Sequence, residues 1–241
     1  MLAGLSPDHY SRLEQGRQHT VTDEVVEALG RALRLDPVER AHLRDLAAPP
    51  RRRATTWETS QRADPGLLRV MSTMDHVPVL LLGRRSEILA CNALLRAVLG
   101  AEVETGSVFV RWLFLDPRSR QRIENWADYA APAVGALRYE VGRHPADRRL
   151  VDLIDELRAV DPDVARWWDD HGVTDQPSVD KRIAHPVVGP LAFAIEALVS
   201  PHDPDQRLVV YAAQPDSPTA RTLPVLASWG LGEVADQAAR R

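Results

Sequence analysis

The chain is 241 residues long, 44% hydrophobic and 27% charged, with a formal net charge of −4. Such a composition belongs to a folded protein with one large domain or a small plus a medium one. Its negative balance excludes a bulk attraction to nucleic acid, so any DNA binding must come from a local patch. A single cysteine, Cys91, excludes an intramolecular disulfide.

In chain order, residues 1 to about 48 read as compact helices. Ser6 is a natural N-cap with Pro7 at the first helical position, and the helix Pro7–Gln15 stops at Gly16. Thr22 or Asp23 opens a second helix, whose Val25, Val26, Leu29, Ala32 and Leu33 share an apolar face. Asp36, Pro37 and Glu39 supply cap, first-turn proline and capping-box glutamate for a third helix, with Leu43, Leu46 and Ala47 inward. Pro49-Pro50 and the arginines 51–53 then stiffen and solvate the chain, which predicts a linker over 49–63.

From Asp64 the character changes. Pro65 to Met74 reads as helix. Val77–Gly83 and Glu87–Cys91 are short apolar stretches joined by Arg84-Arg85-Ser86, a predicted hairpin. Asn92–Leu99 is helical. A long helical stretch follows from Val108 to about Gly172, broken at Asp116-Pro117, His144-Pro145 and Asp161-Pro162, where each Asp-Pro pair makes a cap and first turn. Ser178–Ala184, Leu191–Val199 and Arg207–Ala213 read as strands, and Ser217–Trp229 as a last helix. Two strands, many helices and three strands predict an antiparallel sheet with helices packed on one face, an α+β architecture. The longest apolar run, Val77 to Leu82 with Pro78 inside it, is too short to span a bilayer, and no leader opens the chain, so a cytoplasmic protein with no membrane partner is expected.

The stretch LSPDHYSRLEQGR, residues 5–17, has the form of a DNA-reading helix. Tyr10 and Leu13 face inward at i and i+3, which leaves Ser6, Asp8, His9, Ser11, Arg12 and Gln15 for base edges and Arg17 for a phosphate. Arg12 can fork onto guanine O6 and N7. A plain amphipathic surface helix is the competing reading. LAGLSPDHYSRLEQGR and LGRALRLDPVERAHLRDLA resemble the XRE/Cro-like helix-turn-helix family. That resemblance implies a double-stranded DNA operator as partner. It also shows a departure: the family's first helix and most of its second have no counterpart before Met1. The alternatives are a start site placed too late, a deliberately trimmed chain and a shortened paralogue, with the first expected. In the last case the chain would be a small-molecule-binding or dimerisation module that has lost DNA binding. An upstream reading frame encoding an amphipathic helix pair separates these cases.

The second domain shows no GxSxG, phosphate-cradling glycine loop, HExxH or CxxC, so no enzyme and no cofactor is expected. The eight histidines do not pair at ligand spacing, so no metal is expected. His144 and His185 precede prolines and read as turn residues, and His171 as a helix-end cap. Cys91 reads as a small buried hydrophobe, with haem ligation or redox sensing as alternatives. Six tryptophans stand among arginines; basic charge is almost entirely arginine, Lys181 being the only lysine. With abundant alanine and proline, this suggests a GC-rich bacterial genome. Any single Trp is first a core residue. As a set they can line a long apolar cavity with an arginine at one end, which suits an amphiphile with an anionic head.

The ordered series NALLRAVLG, RWLFLDP, ENW, GRHP, ARWWDDHGV, DKRIAHPVVGPL and QRLVVYAAQPDSP resembles the ligand-binding domain of MmyB-like transcription regulators. That resemblance covers roughly residues 2–228 together with the helix-turn-helix. It implies a partial DNA-binding domain at 1–48, a PAS-like ligand-binding domain at 64–230 and a tail at 231–241. It also implies a homodimer and a fatty-acid-like ligand in a regulator of the actinomycete type. Matching positions are Asn92, Arg111, Phe114, Asp116, Trp126, Arg138, Trp168, His171, Lys181, His185, Gly189 and Tyr211. Of these, Asn92, Arg111, Phe114, Trp126, Arg138 and Trp168 are the expected ligand contacts. Cys91 departs from the family, which more often carries an aromatic beside the asparagine.

Overall fold

The computed structural model describes residue 11 and residues 21–47, 61–170, 179–200 and 203–239. The predicted helix Pro7–Gln15 lies outside them except for Ser11, which is helical and exposed. Residues 49–60 of the expected linker and His171 also lie outside them.

The head contributes α1 (Asp23–Ala32) and α2 (Pro37–Ala47). Thr22 occupies the N-cap position of α1. The capping box of α2 is reciprocal: the Asp36 N–H donates to Glu39 Oε2 at 2.9 Å and the Glu39 N–H to Asp36 Oδ1 at 2.8 Å. Two of the residues expected inward are not. Leu33 and Leu46 are 56% and 62% exposed, because these two short helices bury little beyond Val26 between them.

The larger part runs α3 (Pro65–Met71), β1 (Val79–Leu82), β2 (Ile88–Cys91), α4 (Ala93–Leu99), α5 (Phe109–Leu115), α6 (Pro117–Arg122), α7 (Trp126–Arg143), α8 (Arg148–Val160), α9 (Pro162–Asp169), β3 (Val179–His185), β4 (Gly189–Val199), β5 (Arg207–Ala212) and α10 (Pro218–Ala239). The strands form one antiparallel sheet in the order β2-β1-β5-β4-β3. This is the α+β, PAS-like layout that the resemblance implies. Sheet register fixes which side chains face the helices. Leu80 and Leu82 of β1 join the main core with Ile183, Ile195, Val209 and Tyr211. Val79 and Leu81 point the other way and pack with Leu67 of α3 and Leu208. Helices therefore cover both faces of β1, not one, and all four of its side chains are buried.

The Asp-Pro pairs act as read. Asp116 caps α6 and Asp161 caps α9, each with proline at the first turn. A further break escapes the sequence pattern. Ile123, Glu124 and Asn125 separate α6 from α7 and run against β3, where the Asn125 amide donates to Asp180 O at 2.7 Å and accepts from Arg182 N at 2.9 Å. The last helix extends to Ala239, past the predicted Trp229 and through most of the expected tail. Among the described residues no helix is long and apolar enough to cross a membrane.

Candidate ligand site

Helix α7 opposes the sheet with small side chains. Pro132, Ala133 and Ala136, flanked by Tyr129, Leu137 and Glu140, face Leu80 and Leu82 of β1, Ile195 of β4, and Arg207 and Val209 of β5. Short residues opposite bulky ones leave a gap, which Phe109 and Val110 of α5 close from the side. The result is a narrow, mostly apolar cavity of about 40 Å³. Among the described residues, other hollows are a broad surface groove around Arg111 and Arg118, and one of about 260 Å³ under α10 lined by Ala213, Ala220 and Ala227.

Its long axis follows from two elements lying side by side. On β5, Arg207, Val209 and Tyr211 share a face, so the first and last stand roughly 13 Å apart at about 3.3 Å per residue. Tyr129 to Glu140 spans about 16 Å of α7 at roughly 1.5 Å per residue. The ends match. Arg207 Nη2 donates to Glu140 Oε1 at 2.8 Å at one end, and Tyr211 hydrogen-bonds Tyr129 at the other. The cavity is a channel between α7 and β5 with a polar group at each end.

The Glu140 end is a buried ion cluster. Burial pushes the Glu140 carboxyl above the usual range, while Arg207, Arg143 and His144 pull it back. Asp205 accepts from Arg143 at 3.2 Å, lies 3.0 Å from His144 Nε2, and meets Arg84 at 3.5 Å. Ligand atoms of Glu140, His144 and Asp205 lie within 4.8 Å of one another. The guanidiniums of Arg207 and Arg143 already engage these carboxylates, so the chemistry is that of an ion-pair network and not of a cation site. Beside it, Asp147 caps α8 and accepts from both Arg84 and Arg85 at 2.9–3.0 Å. Burial opposes its charge, but the hydrogen bonds from Arg85 and Arg84 outweigh burial and hold Asp147 below the usual carboxylate range.

The Tyr129 end is aromatic. The Lys181 amine donates to the Tyr211 hydroxyl at 3.0 Å and lies 3.9 Å from the centre of the Tyr129 ring and 5.2 Å from that of Phe109. The Tyr129 hydroxyl is set deep, although the residue keeps part of its surface exposed, and burial pushes it up to about 12.

None of the six expected ligand contacts is among the channel-lining side chains. Asn92 is saturated: it caps α4 through Leu95 N at 2.9 Å, accepts from Val79 N at 3.2 Å and donates to Val77 O at 2.7 Å and Met74 O at 3.2 Å. Asn92→Ala should therefore lower stability by about 2 kcal/mol, read by thermal or urea unfolding. Arg111 is half-exposed and pairs with Glu156 at 2.6 Å. Phe114 and Trp126 meet edge-to-face at 6.0 Å, with Trp167 packed on Trp126 at 5.6 Å, and Arg138 lies 4.6 Å over Trp168. These five side chains belong to a block linking α5, α7 and α9. Arg120, 3.6 Å over Trp126, completes it. Of the expected DNA contacts, Ser6, Asp8, His9, Arg12, Gln15 and Arg17 lie outside the described residues. His185 fills its turn role: its Nδ1 accepts from Val187 N and Val188 N, which leaves Nε2 to donate to Ala97 O at 2.9 Å. Cys91 is half-buried, and burial pushes its thiol up, away from the reactive thiolate.

A mainly apolar channel closed by polar groups, inside an antiparallel sheet domain attached to a helical head, has the make-up of a small-molecule-binding regulator. Residues 63–226 match the family model of the MmyB-like transcription regulator ligand binding domain, and residues 1–43 match a helix-turn-helix domain. The first match spans more than half of the chain, which belongs to the MmyB-like transcription regulators. Comparison with curated proteins gives no match. Both domains point to a ligand-responsive transcription factor rather than an enzyme.

Proposed function

We propose that the effector is an apolar, fatty-acid-like small molecule held in the channel between α7 and β5. One observation carries this reading: a narrow cavity runs along the small-residue face of α7, with apolar walls and polar groups at both ends. That lining is what an amphiphile requires, and α7 has to move away from the sheet to admit one. Its tail contacts are Leu80, Leu82, Val110, Ala133, Ala136, Ile195 and Val209, in place of the tryptophan set expected from the sequence. Native mass spectrometry of the purified protein tests the reading. A retained mass in the fatty-acid range, lost on denaturation, is the expected result; protein that stays empty after incubation with medium-chain acids and alcohols overturns it.

The DNA partner is a repeated or palindromic operator, read by a homodimer that sets two recognition helices about 34 Å apart. Ser6, Asp8, His9, Ser11, Arg12, Gln15 and Arg17 supply the contacts. The head spans residues 1–48 and the sensor 64–230. Helix α7 links the two. Its Tyr139 ring lies 6.1 Å from that of His42 on α2, and a Cβ added at Gly142 would strike the His42 ring. One side of α7 thus meets the effector and another the head. The effector shifts DNA affinity to the extent that it favours one seating of α7 over another.

A further inference from the structure

The side of α7 turned from the channel carries the head, through α2. At about 3.6 residues per turn, Gly142 stands on the opposite side of α7 from Ala133. There the His42 ring of α2 lies against bare helix backbone, and a Cβ added at Gly142 would come within 2.6 Å of His42 Nδ1. The Tyr139 ring flanks it at 6.1 Å. None of the residues of α2 is fully buried, and its Leu46 is 62% exposed, so α2 is seated lightly.

This seat suits one protonation state of the ring. His42 Nδ1 is cut off from water and, among the described residues, has no hydrogen-bond partner. A neutral imidazole leaves only a lone pair at that place. A protonated one carries an N–H on both nitrogens and a positive charge, so its Nδ1–H would be buried with nothing to accept it. Away from the seat, water satisfies both N–H groups.

We propose that His42 on Gly142 is a proton-operated latch between the DNA-binding head and the sensor: the neutral ring docks α2 on α7, and the protonated ring lets the head go. The latch goes beyond the effector reading and stands whether or not the channel takes a ligand. The charges around the ring agree with its direction. Burial, the largest influence, pushes the His42 imidazole below its ordinary value; Asp45 of α2 pulls it up, and Arg138 of α7 pushes it down further. A helix C-terminus favours a cation, but Arg143 in the last turn of α7 already supplies one, 5.8 Å from the centre of the Tyr139 ring. Docked His42 thus holds its proton more weakly than free His42. Docking is complete above the free value, about 6.5, and is lost as pH falls through the lower docked value. Between the two it weakens by up to about tenfold per pH unit. Above that window α7 carries the DNA-reading head rigidly; below it the head moves on its own. Gly142 is the other half of the device. Alanine is the better helix former, so Gly142→Ala spares α7 and removes only the seat.

The test follows the full chain by NMR, with ¹³C at histidine Cε1 and ¹⁵N at backbone amides. In the parent, His42 should titrate below about 6.5. Over the same pH range the amides of Val26 and Leu29 in α1 should pass from tumbling with α7 to reorienting faster than it. Gly142→Ala should return His42 to about 6.5 and free the head already near pH 7.5. His42→Gln, which takes up no proton in this range, should remove the pH dependence of head motion. A His42 that titrates at or above about 6.5 in the parent overturns the latch. So does a head that stays coupled to α7 while His42 takes up its proton, which would leave His42 as a packing residue. A head that still tumbles with α7 in Gly142→Ala removes Gly142 as the seat and overturns the proposal with it. Titration and head motion are both read on the parent, so a poorly folded variant does not block the test.

Discussion

Ala136→Trp is expected to weaken binding of a medium-chain acid by about 100-fold or more, a loss of roughly 2.7 kcal/mol. Ala136 lies on the channel side of α7, is 4% exposed, and owes its place there to being small. An indole in its position occupies the space between α7 and Val209 of β5, so the ligand meets a filled slot. The added ring exceeds the room in the cavity, so α7 must shift, at the usual overpacking cost of about 1–3 kcal/mol. Ala127→Trp, on the exposed side of the same helix, supplies the control and should bind as the parent does. Fluorescence or calorimetric titration of the two variants reads the difference. Unchanged affinity in Ala136→Trp with an intact fold would move the ligand out of this channel.

Asp147→Ala should cost stability rather than binding, by about 3–5 kcal/mol, the range for removing one partner from a buried ion pair. The Asp147 side chain is 1% exposed and takes hydrogen bonds from Arg84 and Arg85, whose own side chains are 9% and 6% exposed. It also caps α8 through Leu150 N. Alanine removes the cap and takes the shared carboxylate from two buried guanidiniums. The pH dependence has a definite sign. Asp147 ionises more readily folded than unfolded, so its contribution is present above the unfolded carboxylate value, about 4, and fades as pH falls through the lower folded value. Acid unfolding of the parent should therefore carry a component that Asp147→Ala lacks. Urea unfolding near pH 7 and again near pH 3 measures both effects, and a variant as stable as the parent at both would remove Asp147 from the account.

Most of the architecture was legible because it rests on local rules. Asp116-Pro117 and Asp161-Pro162 cap helices wherever they occur, and Asp36 with Glu39 closes a box within four residues. Strand order was not legible, since nothing local in Arg207–Ala212 says that it inserts between β1 and β4. The break at Ile123–Asn125 was hidden for a like reason: its backbone partners, Asp180 and Arg182, lie more than fifty residues away.

The site was harder to read, and the reason is physical. Tryptophans were expected to line the cavity, but large flat side chains fill space, and Trp126, Trp167 and Phe114 fill it against each other. Room is made instead by what is missing from a side chain. Ala133, Ala136 and Pro132 in WADYAAPAVGALRYEVGR signal the channel, yet alanine in a helix first reads as good helix propensity. Arg84 and Arg85 read in the sequence as the turn of a hairpin. Asp147 and its neighbours draw them inward, and only the fold brings that loop to the end of α7. Lys181 stands out in the sequence as the sole lysine, but the rings of Tyr129 and Tyr211 beside it come from other elements of the fold.

The central claim is that an apolar acid lies between α7 and β5 and nowhere else in the sensor. Alanine methyl groups report this directly. In protein labelled with ¹³C at alanine methyls, decanoic acid should shift the Ala133 and Ala136 signals and leave those of Ala220 and Ala227, in the hollow under α10, in place. Shifts confined to Ala220 and Ala227, or none at any of the four at saturating ligand, would contradict the account.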